Sequence, residues 1–276
     1  PVRLLNPISS QMGVMRSSLL GSLLQVVKHN VDRRADRMRV FEVGRVFARD
    51  AGVHASDHDV QGVAQPMRIA GAIYGPARAQ GWEGKQAVAD FFDVKGDVEA
   101  LLAPRQATFE RAEHPALHPG RCARVLLDGR VIGVAGELHP RWRQVWELPL
   151  APVLFELDLD AVLRSTVAQA QPVPRHQSAE RDIAVVVQEA VTHDQLMASV
   201  HAARTEGLLR GATLFDIYRP KPGTDAAAGL AAGEKSLAVR LMLGQDGETL
   251  TDERIDRAVD AVIERLRSDI GARLRA

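Results

Sequence analysis

Cysteine is almost missing from this sequence: Cys122 stands alone among 276 residues. A lone cysteine excludes an internal disulfide and a cysteine-based zinc site, and it suits a reducing compartment. Net charge is missing as well, since 35 Lys+Arg balance 35 Asp+Glu. A chain that holds nucleic acid mainly by long-range attraction carries a basic excess, so neutrality argues against a stand-alone binder of that kind. It equally disfavours a polybasic membrane-surface protein. No run approaches the roughly 18 apolar residues needed to span a bilayer, and no signal peptide opens the chain. The cytoplasm is therefore the expected location. There is no GxxxxGK[ST] loop, no GxSxG elbow, no HExxH, no CxxC and no solenoid repeat. Methionine is absent from position 1, where Pro1 stands, as expected of a piece of a longer polypeptide.

What is present is an ordinary globular composition, 46% hydrophobic and 25% charged, in a length comfortable for two domains. The strongest punctuation is STVAQAQPVPRHQSAE (165–180), where Pro172 and Pro174 remove backbone donors among small polar residues. It divides the chain into 1–168 and 169–276. Residues 172–276 carry 14 Lys+Arg against 16 Asp+Glu, and the part before them 21 against 19. Neither half is a basic module.

The second half reads clearly from pattern. DIAVVVQ (182–188) is a β-branched apolar run, expected as a buried strand. Thr192 stands three residues before Gln195, a capping-box spacing, and opens a helix with Leu196, Val200 and Ala203 on one face, ended by Gly207. ATLFDIY (212–218) is a second strand, followed by a Gly/Pro/Ala-rich loop from Arg219 to Gly233. KSLAVRLML (235–243) alternates, with Leu237, Val239, Leu241 and Leu243 inward and Ser236, Ala238, Arg240 and Met242 outward. Thr251 is placed to cap a helix whose Ile255, Ala258, Val259, Val262, Ile263 and Leu266 form one stripe. ARLRA closes the chain as a last strand. The order β-α-β-β-α-β is the ferredoxin-like arrangement, with both helices expected on one sheet face. The open face is expected to carry Tyr218, Ser236, Arg240, Arg273 and Arg275.

The first half is expected to be an α+β domain, an antiparallel sheet flanked by helices. Residues 16–30 read as a helix with Leu19, Leu23, Val26 and Val27 sharing a face, and FFDVKGDVEALLA (91–103) as a second. Strand-like runs cover 38–48, 67–75, 123–140 and 153–163, and Asp128-Gly129 marks a two-residue hairpin turn.

Four constellations invite chemistry, and each has a plainer explanation that weighs more. His54/His58 and His114/His118 stand four apart, but among Gly, Pro, Ala and Asp, without a third ligand, they read as loop or surface histidines. Gly133, Gly136, Glu137 and His139 of GVAGELHP read as a turn ending a strand at Pro140. Asp90, Asp93, Asp97 and Glu99 alternate with apolar residues, as the solvated side of a helix does, and need no Mg2+. Arg33, Arg34, Arg37 and Arg39 are offset by Asp32, Asp36 and Glu42, as at a helix end with local ion pairs.

Taken together, several strings resemble one family. Residues 6–47 (NPISSQMGVMRSSLL through FEVGRVF), FFDVKGDVEALL, HPGRCARVLLDGRVIGVAGELHP and LFELDLDAVL resemble the catalytic-like module of bacterial phenylalanyl-tRNA synthetase beta subunits. RHQSAERDIAVVV, LFDIYRPKPG, GEKSLAVRLML and TLTDERI resemble the same subunits' ferredoxin-fold anticodon-binding domain. The resemblance covers nearly the whole chain, in order. It implies a class II synthetase-like antiparallel sheet domain that has lost its chemistry, followed by the ferredoxin-like βαββαβ domain. The strand-loop-strand motif that supplies an ATP-binding arginine in class II enzymes is resembled by residues 44–65. There Ala48 stands where the first arginine after the aromatic is expected, and Arg49 follows. The late glycine-rich motif has no counterpart in LFELDLDAVLRS. What the resemblance implies is a scaffold without catalytic residues, cofactor or metal of its own, with ATP and Mg2+ used elsewhere in the holoenzyme. Implied partners are a catalytic alpha subunit, in an assembly of two alpha and two beta chains, and tRNA(Phe); DNA and membrane are not.

For the second half the resemblance implies contact with the anticodon region. Loop bases are held by stacking on aromatics and by cationic contacts to phosphate. Tyr218 is the candidate stack, and Arg219, Lys221, Lys235, Arg240, Arg273 and Arg275 the candidate cations, with Ser236 beside them. Two other readings remain at this point. The first half is an active ATP-dependent ligase, or the second is a small-molecule regulatory module, since fold does not fix function.

Overall fold

The computed structural model describes residues 1–9, 12–57, 59–82, 84, 86–164, 176–220, 230–231, 233–247 and 249–275, and the chain forms two units, 1–167 and 168–276. Pro172 and Pro174 lie outside the described residues.

The first unit contains α1 (Leu20–Val31), β1 (Met38–Arg45), β2 (Ala48–Arg49), β3 (Val63–Ala64), β4 (Met67–Tyr74), α2 (Phe91–Leu102), β5 (Ala107–Arg111), β6 (Leu117–Leu127), β7 (Arg130–Leu138), α3 (Pro140–Val145), β8 (Val153–Asp158) and α4 (Leu159–Leu163). Six strands make one antiparallel sheet in the order β1-β4-β8-β7-β6-β5, while β2 and β3 form a separate ribbon. Helices lie on both faces. Leu20, Leu23, Leu24 and Val27 of α1 pack on Ala70, Ala72 and Leu154; Val94, Val98 and Leu102 of α2 pack on Ile69, Ile73, Phe155 and Leu157. A strand buried on both sides has no polar alternation to show, which is why 69–75 reads as an unbroken apolar run.

The α1 end of this layer is fixed from across the sheet. Glu156, on the inner strand β8, accepts from Ser18 Oγ at 2.6 Å and from the Leu19 backbone N–H at 2.8 Å. A carboxylate from a distant strand thus satisfies donors that a helix start leaves open and complements its positive end.

Some expectations need correction. Val26 is exposed, and Leu20 and Leu24 join the buried stripe of α1 instead. Residues 159–163 are helix, not strand, because the Asp158 carboxylate accepts from the Asp160 N–H and turns the chain. Gly133 and Gly136 sit inside β7 rather than in a terminal turn; a Cβ there would meet the Glu156 and Arg121 carbonyls at 2.1 and 2.6 Å. The Asp128-Gly129 turn is as expected, with φ of 51° and 74°.

The second unit contains β9 (Ala179–Gln188), α5 (His193–His201), β10 (Leu209–Tyr218), β11 (Glu234–Leu243), α6 (Asp252–Ile270) and β12 (Arg273–Leu274). Its antiparallel sheet runs β10-β11-β9-β12, the ferredoxin-like order. Leu196 and Val200 of α5 and Val262 and Leu266 of α6 pack on Val185, Leu237, Val239 and Leu241, so both helices cover one face. Thr192 and Gln195 form the expected capping box. Thr251 occupies the N-cap of α6, but its hydroxyl makes no cap hydrogen bond. Helix α5 ends at His201, and Gly207 lies in the turn before β10, not at the helix end.

Candidate nucleic-acid interface

Among the described residues, no helix of the second unit packs on the other face of its sheet, although Val186 at its centre is 1% exposed. Strand register sets what it presents: Tyr218, Ser236, Val186 and Arg273 form one row across four strands, and Thr213, Arg240 and Asp182 another. The β11 alternation is as expected, and the face brings together Tyr218, Ser236, Arg240, Arg273 and Arg275. Of these, Ser236 is only 3% exposed.

The cations on and beside this face are held by carboxylates and rings. Arg240 binds Asp182 through two hydrogen bonds, Nε to Oδ1 at 2.8 Å and Nη2 to Oδ2 at 2.9 Å, with Glu180 at 3.5 Å. Arg273 pairs with Glu234. The Arg275 guanidinium lies 4.9 Å from the centre of the Tyr218 ring. At the end of the sheet, Arg219 grips Glu189 through Nε and Nη2, and Lys235, 7% exposed, donates Nζ to the Glu189 carbonyl at 2.8 Å. Lys221 lies outside the described residues.

One residue of this face was not foreseen. A β-bulge between Leu214 and Asp216 inserts Phe215 into β10 as an extra residue. Bulges re-aim side chains. Here Phe215 turns onto the open face, 52% exposed, with the Arg240 guanidinium 5.3 Å from its ring centre. Strict alternation sends residues 215 and 218 to opposite faces; the inserted residue puts both rings on one.

The carboxylates here make folding pH-dependent. Hydrogen bonds from Arg240 hold the Asp182 carboxyl below its ordinary value; a hydrogen bond from Arg219 and then the charge of Lys235 do so for Glu189; hydrogen bonds from the Ala231 N–H and then Arg273 do so for Glu234. A carboxyl lowered on folding contributes stability above its unfolded value, and that contribution is lost as pH falls through the folded value. The denaturation midpoint of the second unit is therefore expected to hold steady above about pH 5 and to drop below it. Asp182→Asn is expected to flatten that drop, as read by urea titration at stepped pH.

In the first unit, the residues singled out earlier sit as structural parts. His114 and His118 accept at Nδ1 from the Ala116 and Gly120 N–H groups, and burial pushes the His114 imidazole down; His58 lies outside the described residues. Asp90 and Asp93 make the capping box of α2, Asp97 pairs with Arg39, and Glu99 with Lys95. Glu137 pairs with Arg121, and His139 caps α3. Arg33 and Arg37 donate to carbonyls, of His29 and of Pro76 and Ala77. Arg49, on the β2–β3 ribbon, donates to the Pro1 carbonyl at 3.3 Å. Among the described residues, no group of three or more His, Cys, Asp or Glu is placed to hold a metal, and no helix is long and apolar enough to cross a membrane. A groove of about 430 Å³ runs between β1 and α2, lined by Phe41, Ile69, Gly71, Leu101 and Phe155. Phe41, 75% exposed, lies on the outer strand opposite Gly71, whose open space the Phe155 ring fills.

Residues 1–159 match the family described as the phenylalanyl tRNA synthetase beta chain CLM domain, and residues 174–275 the ferredoxin-fold anticodon binding domain. The phenylalanine–tRNA ligase beta subunit of Ralstonia nicotianae is 51% identical over 280 residues, covering 100% of this chain and 34% of the relative. That of Burkholderia lata is 50% identical over 278 residues, again covering 100% and 34%. The chain thus spans about a third of the length of the curated relatives it matches. A solved pyrrolysyl tRNA synthetase of Desulfitobacterium hafniense overlays on 54% of this chain and 48% of its own at 12% identity and a TM-score of 0.36, below the level at which a shared fold follows.

Proposed function

This chain belongs to the phenylalanyl-tRNA synthetase beta chain family, and on that premise we propose that it is the C-terminal part of the beta subunit of a phenylalanine–tRNA ligase. The first unit is a scaffold for the catalytic alpha subunit, in a cytoplasmic assembly of two alpha and two beta chains. The second contacts the anticodon region of tRNA(Phe) while the holoenzyme uses ATP and Mg2+ elsewhere. The carrying observation is the helix-free sheet face of the second unit, where an exposed ring and three arginines meet in a domain matching an anticodon-binding family.

We infer that the first unit makes no adenylate. Acyl and phosphoryl transfer rest on positioned cations at the developing charge. Several of its arginines are engaged in holding the fold: Arg16 with Glu42, Arg105 with the Ala161 and Val162 carbonyls, Arg121 with Glu137, Arg124 with Glu110, and Arg49, the arginine of the strand-loop-strand motif, with the Pro1 carbonyl. That pattern does not fit an ATP phosphate site. The apolar β1–α2 groove supports a packing role instead.

The test is kinetic. In the assembled ligase, Tyr218→Ala is expected to raise KM for tRNA roughly tenfold, as loss of one stacking contact does. Phenylalanine-dependent ATP–pyrophosphate exchange is expected to stay unchanged. An unaltered tRNA KM would remove Tyr218 from the interface, and exchange by this chain alone would overturn the scaffold assignment.

A further inference from the structure

We propose that Phe215 is a second base-stacking platform beside Tyr218, and that Arg240 is the fixed prop of that ring rather than a phosphate ligand; this rests on the tRNA-binding reading of the same face. Three observations meet at this residue. The bulge at Leu214/Asp216 spends an extra residue to turn Phe215 out of the alternation, onto the face where Tyr218 already lies. No core cluster contains the ring, and the residue is 52% exposed, although a phenylalanine with only a packing role is ordinarily buried. One side of the ring is occupied by the Arg240 guanidinium, 5.3 Å from its centre.

Arg240 is poorly suited to a phosphate. Two hydrogen bonds tie it to Asp182 and a second carboxylate, Glu180, stands 3.5 Å away, so its charge is compensated within the sheet. Taking up a phosphate requires those contacts to break. Left in place, they keep the guanidinium over one side of the Phe215 ring and leave its other side for a planar group. Tyr218, with Arg275 4.9 Å from its ring centre, repeats the arrangement. The two residues are three apart on one strand, which sets their backbones about 10 Å apart at 3.3 Å per residue. That spacing suits two unstacked bases side by side. Such bases occur in single-stranded loops and not in a duplex, and every base offers a face to stack. The ligand class is therefore a pair of splayed loop nucleotides, of which Tyr218 and Phe215 each take one.

The experiment uses the assembled ligase with Phe215→Leu, Phe215→Met, Phe215→Tyr, Arg240→Gln and Tyr218→Ala, measuring KM for tRNA at two salt concentrations alongside ATP–pyrophosphate exchange. Leucine and methionine keep the apolar bulk of an exposed position but lose the ring. Both are expected to raise KM for tRNA roughly tenfold, with exchange and salt dependence as in the parent. Tyrosine restores the ring and is expected to stay within about twofold of the parent. Arg240→Gln is expected to raise KM with an unchanged salt slope, whereas loss of a phosphate contact lowers the slope by about one. A parental KM in both Leu and Met variants, with Tyr218→Ala impaired, overturns the Phe215 platform and leaves the tRNA-binding face standing. A slope lower by about one in Arg240→Gln overturns the prop. Parental KM in all five variants overturns the tRNA-binding face itself.

Discussion

Gly75→Ala is expected to destabilise the first unit by roughly 2–5 kcal/mol, the sum of a left-handed backbone cost and a packing overlap. Gly75 follows β4 with φ of 82°, and a Cβ built on it would sit 1.8 Å from the Asp36 carbonyl oxygen and 3.2 Å from the Arg37 Cα. Both neighbours are backbone, at the entry to β1, and cannot swing aside as a side-chain tip does. Relief requires β1 and β4 to separate at their paired ends, where Met38 stands opposite Tyr74. Gly129→Ala is the control. Its φ of 74° is similar, but nothing lies within 4 Å of the added carbon, so only the conformational cost of about 1–2 kcal/mol applies. Urea denaturation of the two variants separates the overlap from the backbone strain; equal midpoints would show that the β1–β4 entry yields without cost.

Glu156→Ala is expected to cost about 2–4 kcal/mol, because it leaves a buried donor unpaired and removes a carboxylate from a helix start. Leu19 is fully buried, so its N–H has no water to turn to once Glu156 is gone. Ser18 Oγ, which accepts from the Leu20 N–H at 3.1 Å, loses its own acceptor in the same step. Glu156→Gln keeps an accepting oxygen and is expected to cost about 1 kcal/mol, near the value of a neutral hydrogen bond. Amide exchange at the start of α1 should quicken in the alanine variant before exchange in α2 does; uniform acceleration would argue against a local anchor.

The second unit was legible almost throughout because its signals are local. Period-two alternation in β11, the Thr192–Gln195 box and the stripe of α6 each sit within a few residues of what they determine. The bulge was the exception. It depends on how β10 registers against β11, which no count along β10 alone contains, and so Phe215 escaped notice while Tyr218 did not. The first unit was harder for the same reason in stronger form. Its inner strands are covered on both sides, so their faces cannot be told apart by polarity, and Glu156 gains its role from Ser18 and Leu19, 138 and 137 residues earlier. Of the cations named as candidates, residue type was readable but availability was not. Glu189, Asp182 and Glu234 hold Arg219, Arg240 and Arg273 through pairings that only the folded sheet creates.

Strand β1 lies at the rim of the six-stranded sheet with Phe41 and Val43 exposed. Such a rim offers hydrogen-bonding groups and oil to any similar strand it meets, including one on an identical molecule. Its consequence is a matter of supply. Copies of this chain with that rim left bare would present the same adhesive strip to one another, and self-association would rise with their concentration. One strip of eight residues is thus enough to tie the persistence of the free chain to its concentration.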